Sequence, residues 1–271
     1  MIKGIRLFIF ILCVFLTACA DQSHTRENEK NRPTVINSKP KTKVDSIIHK
    51  EPNKPKEPDF TRLTSRNSLA YLSEFSQTNT SKKIKISTKH GDMEFILYKG
   101  TPLHAASFIH LIQEKYFSGV EITRVLKNHV IQGGNSQKKS KSTQRFLLGK
   151  YTVPAEIRPY YIHKKGALAL ARQMDDNPDK NSEPYDFYIV HGRKMGSAEL
   201  YNIQKEKDIT YSDKQKEVYK TKGGTPHLDK EFTVFGEITS GLSILEKLAN
   251  LPVDKQNWPK DNLLISIEII D

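Results

Sequence analysis

The stretch that decides the fold runs from Gly119 to Asn135: Gly-Val-Glu-Ile-Thr-Arg-Val-Leu-Lys-Asn-His-Val-Ile-Gln-Gly-Gly-Asn. Side chains alternate along a strand, so Ile122, Arg124 and Leu126 are predicted on one face, with Thr123 and Val125 on the other. An arginine is thereby placed among apolar neighbours. Lys127 and Asn128 suit a turn, and His129-Val130-Ile131-Gln132 reads as a second strand. The pair Gly133-Gly134 marks backbone that needs positive φ or a very close approach. The same spacing also suits an edge strand whose arginine lays its stem on apolar surface and its head in water, and alternation alone does not separate the two readings.

On either side of this stretch the chain alternates between strand and helix signals. Residues 83–87 alternate polar and apolar, His90-Gly91-Asp92 is a turn signal, and residues 93–98 alternate again, which predicts a hairpin. Thr101-Pro102 supplies an N-cap and a first-turn proline, and Ala105, Phe108, Ile109 and Ile112 form one apolar stripe. His104 and His110 fall outside that stripe and are predicted on the surface. A shorter helix is predicted over residues 66–76, packed on the outside of the barrel, from Leu69, Leu72 and Phe75 with Tyr71 beside them. Residues 137–144 read as a polar, lysine-rich loop, residues 166–172 as a small-residue strand, residues 174–184 as a loop and residues 187–190 as a strand. Residues 192–224 form a long charged insertion with helical pieces near 198–205 and 213–220. A strand over 232–238, a helix carrying Leu242, Leu245, Leu248 and Ala249, and a strand over 263–269 complete the pattern. Many short strands with two well-marked helices predict a mainly β fold, a closed antiparallel barrel capped by two α-helices.

The N-terminus reads differently. Lys3 and Arg6 precede an uninterrupted apolar run over residues 7–16, too short for a spanning helix, which needs about 20 apolar residues. This is the layout of a secretory signal. Leu16-Thr17-Ala18-Cys19 resembles a bacterial lipobox, in which Cys19 is lipidated; the competing reading is an ordinary signal cleaved near a stray cysteine. The chain's two cysteines are Cys13 and Cys19, so no thiol remains beyond that point. Residues 19–62 are rich in Lys, Asn, Pro, Ser, Glu and Thr and predict a disordered tether. The expected organisation is therefore a signal over 1–18, a tether over 19–62 and a domain over 63–271.

The net charge of +12 over 271 residues raises the question of nucleic acid. In the tether, however, Lys39, Lys41, Lys43, Lys50, Lys54 and Lys56 are interleaved with Asp45, Glu51 and Glu57, and an exported chain does not meet DNA; a solvated linker with mild attraction to anionic membranes is predicted instead. Ala20 after Cys19 lacks the aspartate that some bacteria read as inner-membrane retention, which points to the outer membrane or periplasmic face, with Asp21 as a competing signal. No cofactor or metal is predicted, since no His, Cys or acid cluster has ligand spacing. The expected state is a monomer.

The central stretch resembles the cyclophilin signature through Arg124, Val125, Gln132, Gly133 and Gly134. Three further blocks follow in family order: residues 165–172, residues 186–190, and His227-Leu228-Asp229 continuing to residues 232–238. Ile122, Thr123, His129 and Val130 stand where the family usually has phenylalanine, histidine, phenylalanine and methionine. Asp186 stands for a glutamine and His227 for a frequent tryptophan. The resemblance implies a peptidyl-prolyl cis-trans isomerase on a closed antiparallel barrel, acting on proline-containing polypeptide clients. It makes Arg124 the donor to the prolyl nitrogen and gives Gln132 the substrate carbonyl and neighbouring backbone. It forms the proline pocket from His129, Val130, Tyr188, Leu228 and Phe232, and sets Ala171, Arg172, Asp186 and His227 along the peptide. A charged His129 would repel Arg124, so activity is expected to be reduced and to fall as pH drops through the imidazole range. The alternative is a binding module that holds proline-containing segments without turning them over.

Overall fold

The computed structural model describes residues 61–271; the predicted signal, Cys19 and almost all of the predicted tether lie outside the described residues. In chain order the elements are α1 Ser68–Thr78, β1 Lys83–Thr88, β2 Gly91–Leu97, α2 Pro102–Gln113, β3 Val120–Val125, β4 Val130–Gly133, α3 Lys139–Leu148, β5 Ala167–Leu170 and β6 Phe187–Val190. Then follow α4 Ser197–Lys207, α5 Asp213–Thr221, a 3-10 turn Pro226–Leu228, β7 Val234–Ser240, α6 Leu242–Ala249 and β8 Leu264–Ile269. The strands close in the order β1-β2-β7-β5-β6-β4-β3-β8, with every pairing antiparallel. Closure removes the edges that an open sheet would expose.

Alternation explains which residues fill the barrel. Ile84 and Ile86 of β1, Met93, Phe95 and Leu97 of β2, and Ile265 and Ile267 of β8 are buried at every second position. Phe108 of α2 plugs the interior against Phe117, Phe187 and Phe235, with ring centroids 4.7, 5.5 and 5.2 Å away. β5 and β6 are buried at every position because their outer face is covered too. There Val130, Ala167, Ala169, Tyr188, Val190 and Val234 make a second apolar cluster, roofed by Leu228, Phe232 and Tyr161. That outer cluster holds the site.

Several predicted features fold otherwise. The helix α2 starts where predicted, but Thr101 makes no side-chain cap. Its orphan N–H groups are instead capped from a distant loop: the Glu156 carboxylate accepts from the N–H of Leu103 at 3.1 Å and of His104 at 2.9 Å. His104 and His110, predicted on the surface, are buried. His104 is bonded to Glu156 and Ser182, and His110 Nδ1 lies 3.1 Å from the Tyr71 hydroxyl of α1, since α1 packs on α2. Residues 139–148 form α3, which takes in residues 139–144 of the predicted polar loop. Its inward face is basic: Lys141 bonds the Tyr116 carbonyl at 2.6 Å and Arg145 bonds the Ser136 carbonyl at 2.8 Å. A helix anchored by cations on carbonyls carries no apolar period. The insertion helices are present as predicted, at α4 and α5.

Candidate active site

A register shift in β3 sets the site. Ile122 pairs with Gly133 and Arg124 with Gln132, so Thr123 is an extra residue, a β-bulge. Ile122 and Val125 both point into the core, while Arg124 is exposed on the outer face. The prediction that Ile122 and Arg124 share a face is therefore corrected: strict alternation would have sent the guanidinium inside with Ile122, and the bulge turns it out. The glycine pair permits this crossing. A Cβ on Gly133 would stand 2.8 Å from Ile122 Cδ1, and Gly134 has φ 103° with the Tyr185 carbonyl 2.5 Å from where its Cβ would be.

With that shift, Arg124 joins one transverse row. Arg124 pairs with Gln132, Gln132 with Tyr188, Tyr188 with Ala169 and Ala169 with Val234, across five strands. Residues opposed in this way have Cβ atoms about 4.5–5.5 Å apart. The row runs from a charged donor, through an amide, to an apolar floor. Among the described residues the Arg124 guanidinium makes no hydrogen bond or ion pair, so its donors remain available.

Gln132 is held by Asp186. Its Nε2 donates to Asp186 Oδ1 at 3.0 Å and Oδ2 at 2.9 Å, and because a carboxylate only accepts, the amide nitrogen must face it. The Gln132 Oε1 is left as an acceptor for a peptide N–H. The role implied by the resemblance, holding a substrate carbonyl through the amide nitrogen, is thus partly taken by Asp186. Burial pushes the Asp186 carboxyl up to about 6, while the Gln132 amide and Arg124 oppose the rise.

The floor is apolar. Tyr188 and Phe232 meet edge to face with centroids 5.8 Å apart. Arg172 lies over the Phe232 ring at 5.0 Å and donates to the Glu231 carbonyl at 2.8 Å and carboxylate at 2.9 Å, so its side chain braces the pocket from the rim. Ala171 is pinned through its main chain, donating to the Asp186 carbonyl and accepting from Glu183 N–H, each at 2.8 Å. Val130 and Leu228 belong to the same cluster. His129 is half-buried at the end of β4, and burial first, then Arg124, His227 and His163, hold its imidazole below the ordinary range. It is neutral where an ordinary histidine begins to charge, which moves the expected acid fall of activity to lower pH. His227 is exposed on the 3-10 turn.

The Tyr188 hydroxyl has a partner that no spacing in the sequence announces. His163 Nε2 lies 2.9 Å from it, and His163 Nδ1 lies 2.7 Å from Asp229 Oδ1. Asp229 sits in a block already singled out, but nothing in the sequence ties it to His163, 66 positions away.

The family model for "Cyclophilin type peptidyl-prolyl cis-trans isomerase/CLD" matches residues 83–269. A Streptococcus pyogenes protein described as "Putative bifunctional phosphatase/peptidyl-prolyl cis-trans isomerase" is 29% identical over 209 residues; the match takes in 72% of this chain, which spans 40% of that protein's length. A Staphylococcus aureus protein described as "Putative peptidyl-prolyl cis-trans isomerase" is 28% identical over 189 residues, covering 69% of this chain and 91% of its own. Among solved structures, a Cryptosporidium parvum cyclophilin type peptidyl-prolyl cis-trans isomerase aligns with TM-score 0.50 and 22% identity over 70% of this chain and 98% of that one, a likeness of fold. With the barrel, the outer-face row and the family model in agreement, the chain belongs to the cyclophilin-type peptidyl-prolyl cis-trans isomerase family.

Proposed function

We propose that this chain catalyses rotation about X-Pro bonds in exported or envelope polypeptides, with Arg124 as the donor to the prolyl nitrogen. The observation that carries the reading is the row itself: a guanidinium unpaired among the described residues, an oriented amide and an apolar floor stand on neighbouring strands. Rotation is slow because the C–N partial double bond presents a barrier of about 18–20 kcal/mol. A donor aimed at the prolyl nitrogen draws its lone pair out of resonance and so favours the twisted state over either planar one. Shortening tens of seconds to milliseconds takes about four decades, or roughly 5.5 kcal/mol. One charged hydrogen bond supplies about 1.5–3 kcal/mol. The remainder comes from seating the proline ring on Val130, Tyr188 and Phe232 and displacing water from Arg124 as the peptide covers it. Gln132 Oε1 and the backbone of Arg172 align the peptide.

The N-terminal reading places this domain, residues 63–271, on a tether of residues 19–62 lipidated at Cys19 after removal of residues 1–18. The lipid anchor holds it at the cell envelope, at the outer membrane or periplasmic face, as a monomer serving proline-containing clients and no nucleic acid. Several acyl chains, at about 0.8 kcal/mol per buried CH₂, anchor it stably. Replacing Cys19 by alanine is expected to release the protein from the membrane fraction, and retention there contradicts the anchor.

A second reading, a barrel that binds proline segments without turning them over, is favoured by the exposure of Arg124, since water weakens its pull. Protease-coupled isomerase kinetics together with peptide affinity separate the two. As an enzyme, the Arg124→Ala protein binds peptide within about threefold but loses about 100-fold in kcat/KM; as a binder, it loses neither affinity nor a rate that was negligible from the start.

A further inference from the structure

We infer that the proline pocket is fixed from behind by a buried hydrogen-bonded relay in which His163 and Asp229 are positioning residues for Tyr188, anchored by the insertion of residues 192–224. The inference rests on the reading of the outer-face row as the prolyl site.

The relay has a defined direction. Asp229 Oδ1 is 2.9 Å from the His163 main-chain nitrogen and 2.7 Å from its Nδ1. Asp229 Oδ2 is 2.6 Å from the Tyr211 hydroxyl and accepts also from the Tyr219 hydroxyl. Every one of these partners donates to the carboxylate, so His163 Nδ1 carries a proton. Nε2, at the far side of the ring, shares a 2.9 Å hydrogen bond with the Tyr188 hydroxyl. All five side chains are buried.

Two of the five belong to the insertion. Tyr211 precedes α5 and Tyr219 lies on it, with their rings 5.4 Å apart. The end of the insertion is also tied to His163 through the backbone: Thr225 N–H donates to the His163 carbonyl at 2.8 Å. A Cβ on Gly224 would come 2.3 Å from that carbonyl oxygen and 2.6 Å from the Tyr219 ring, so glycine alone lets the strands meet there.

The arrangement of carboxylate, imidazole and hydroxyl is that of an activated nucleophile, but its setting excludes that use. Burial holds the Tyr188 hydroxyl well above the ordinary phenol range, and its hydrogen bond points inward, away from any bound peptide. The relay instead keeps a polar atom out of an apolar pocket. A tyrosine without that partner would turn its hydroxyl toward the proline ring and draw water with it.

The test uses the full chain in detergent and a proline-containing tetrapeptide. Asp229→Asn leaves a single acceptor oxygen for up to four donors while keeping the volume. It is expected to raise KM about fivefold and change kcat by less than about twofold, since Arg124 is untouched. Made in a Tyr188→Phe background, where no hydroxyl can be orphaned, the same substitution is expected to change KM by less than about twofold. An equal rise of KM in both backgrounds would overturn the relay. Should Asp229→Asn not fold, nitrogen spectra of labelled histidine in the native and Tyr188→Phe proteins decide the matter. The relay predicts His163 protonated at Nδ1, with an Nε2 signal that shifts when the hydroxyl is removed; an unmoved Nε2 signal contradicts it. Failure of the prolyl-site reading shows separately, as unchanged kcat/KM in Arg124→Ala, and leaves the nitrogen spectra free to decide the relay.

Discussion

Two buried histidines make nearly the same hydrogen bonds and serve different ends. His104 places Nδ1 2.7 Å from Glu156 and Nε2 3.0 Å from the Ser182 hydroxyl, while His163 places Nδ1 2.7 Å from Asp229 and Nε2 2.9 Å from the Tyr188 hydroxyl. The first chain is an internal brace. Glu156 also caps α2, and Ser182 is locked by two main-chain bonds to Val153, so nothing at either end meets solvent. The second chain ends on a ring that forms the floor of the outer-face cluster. The comparison teaches that a carboxylate–imidazole–hydroxyl chain has no function of its own; what its last hydroxyl belongs to, and which face that group presents, decides.

The comparison is broken most severely at Glu156. Glu156→Ala removes a buried partner of His104 and two helix caps together, and is expected to cost about 3–5 kcal/mol in urea unfolding. Peptide affinity of the folded protein should stay as it is, whereas the same measurement on the second chain should report the pocket. His110 sharpens the contrast, because its imidazole is buried with Tyr71 and without a carboxylate, and burial pushes it down to about 4. The unfolded chain takes up its proton first as pH falls, so this contribution is full above about 6.5 and is lost as pH drops to about 4, worth about 3 kcal/mol. His110→Gln should flatten stability over that window.

Asp186 acts with the opposite sign. Its carboxyl is raised to about 6, so its contribution is full below about 4 and is lost as pH rises through about 6. Asp186→Asn is therefore expected to stabilise the protein by about 1–2 kcal/mol at neutral pH while loosening Gln132. Stability measured at pH 7.5 checks this, and a loss there contradicts it. The smallest effect belongs to Tyr188→Phe, which removes one net hydrogen bond and leaves His163 Nε2 without its partner, at a cost of about 1 kcal/mol in the same assay.

Much of this architecture was legible in the chain because it rests on short-range pattern. The alternation in β1, β2 and β8, the apolar stripe of α2 and the helical pieces of the insertion each leave a period in the sequence. The bulge at Thr123 leaves none: it is set by how β3 meets β4, and it reverses the facing of the one arginine that matters. α3 was hidden because lysine and arginine stems, bonded to carbonyls, replace apolar residues on its inner face. The buried histidines misread as surface residues owe their places to Glu156, Ser182 and Tyr71, all distant in sequence. Within the site, Arg124, Gln132, Val130, Tyr188 and Phe232 were named from the resemblance and the structure brings them together. The bonds between Gln132 and Asp186 and between His163 and Tyr188 come only from the closed barrel.

The claim on which the rest depends is that a proline ring seats on the outer-face row beside Arg124. Magnetisation transfer between a labelled proline peptide and the full chain tests it most directly. Contacts from the prolyl ring to Val130, Tyr188 and Phe232, with cis-trans exchange of the bound peptide that vanishes in Arg124→Ala, are the predicted result. Prolyl contacts confined to the neighbouring groove lined by Tyr98, Tyr160 and Tyr161, with exchange unaffected by Arg124→Ala, would contradict it.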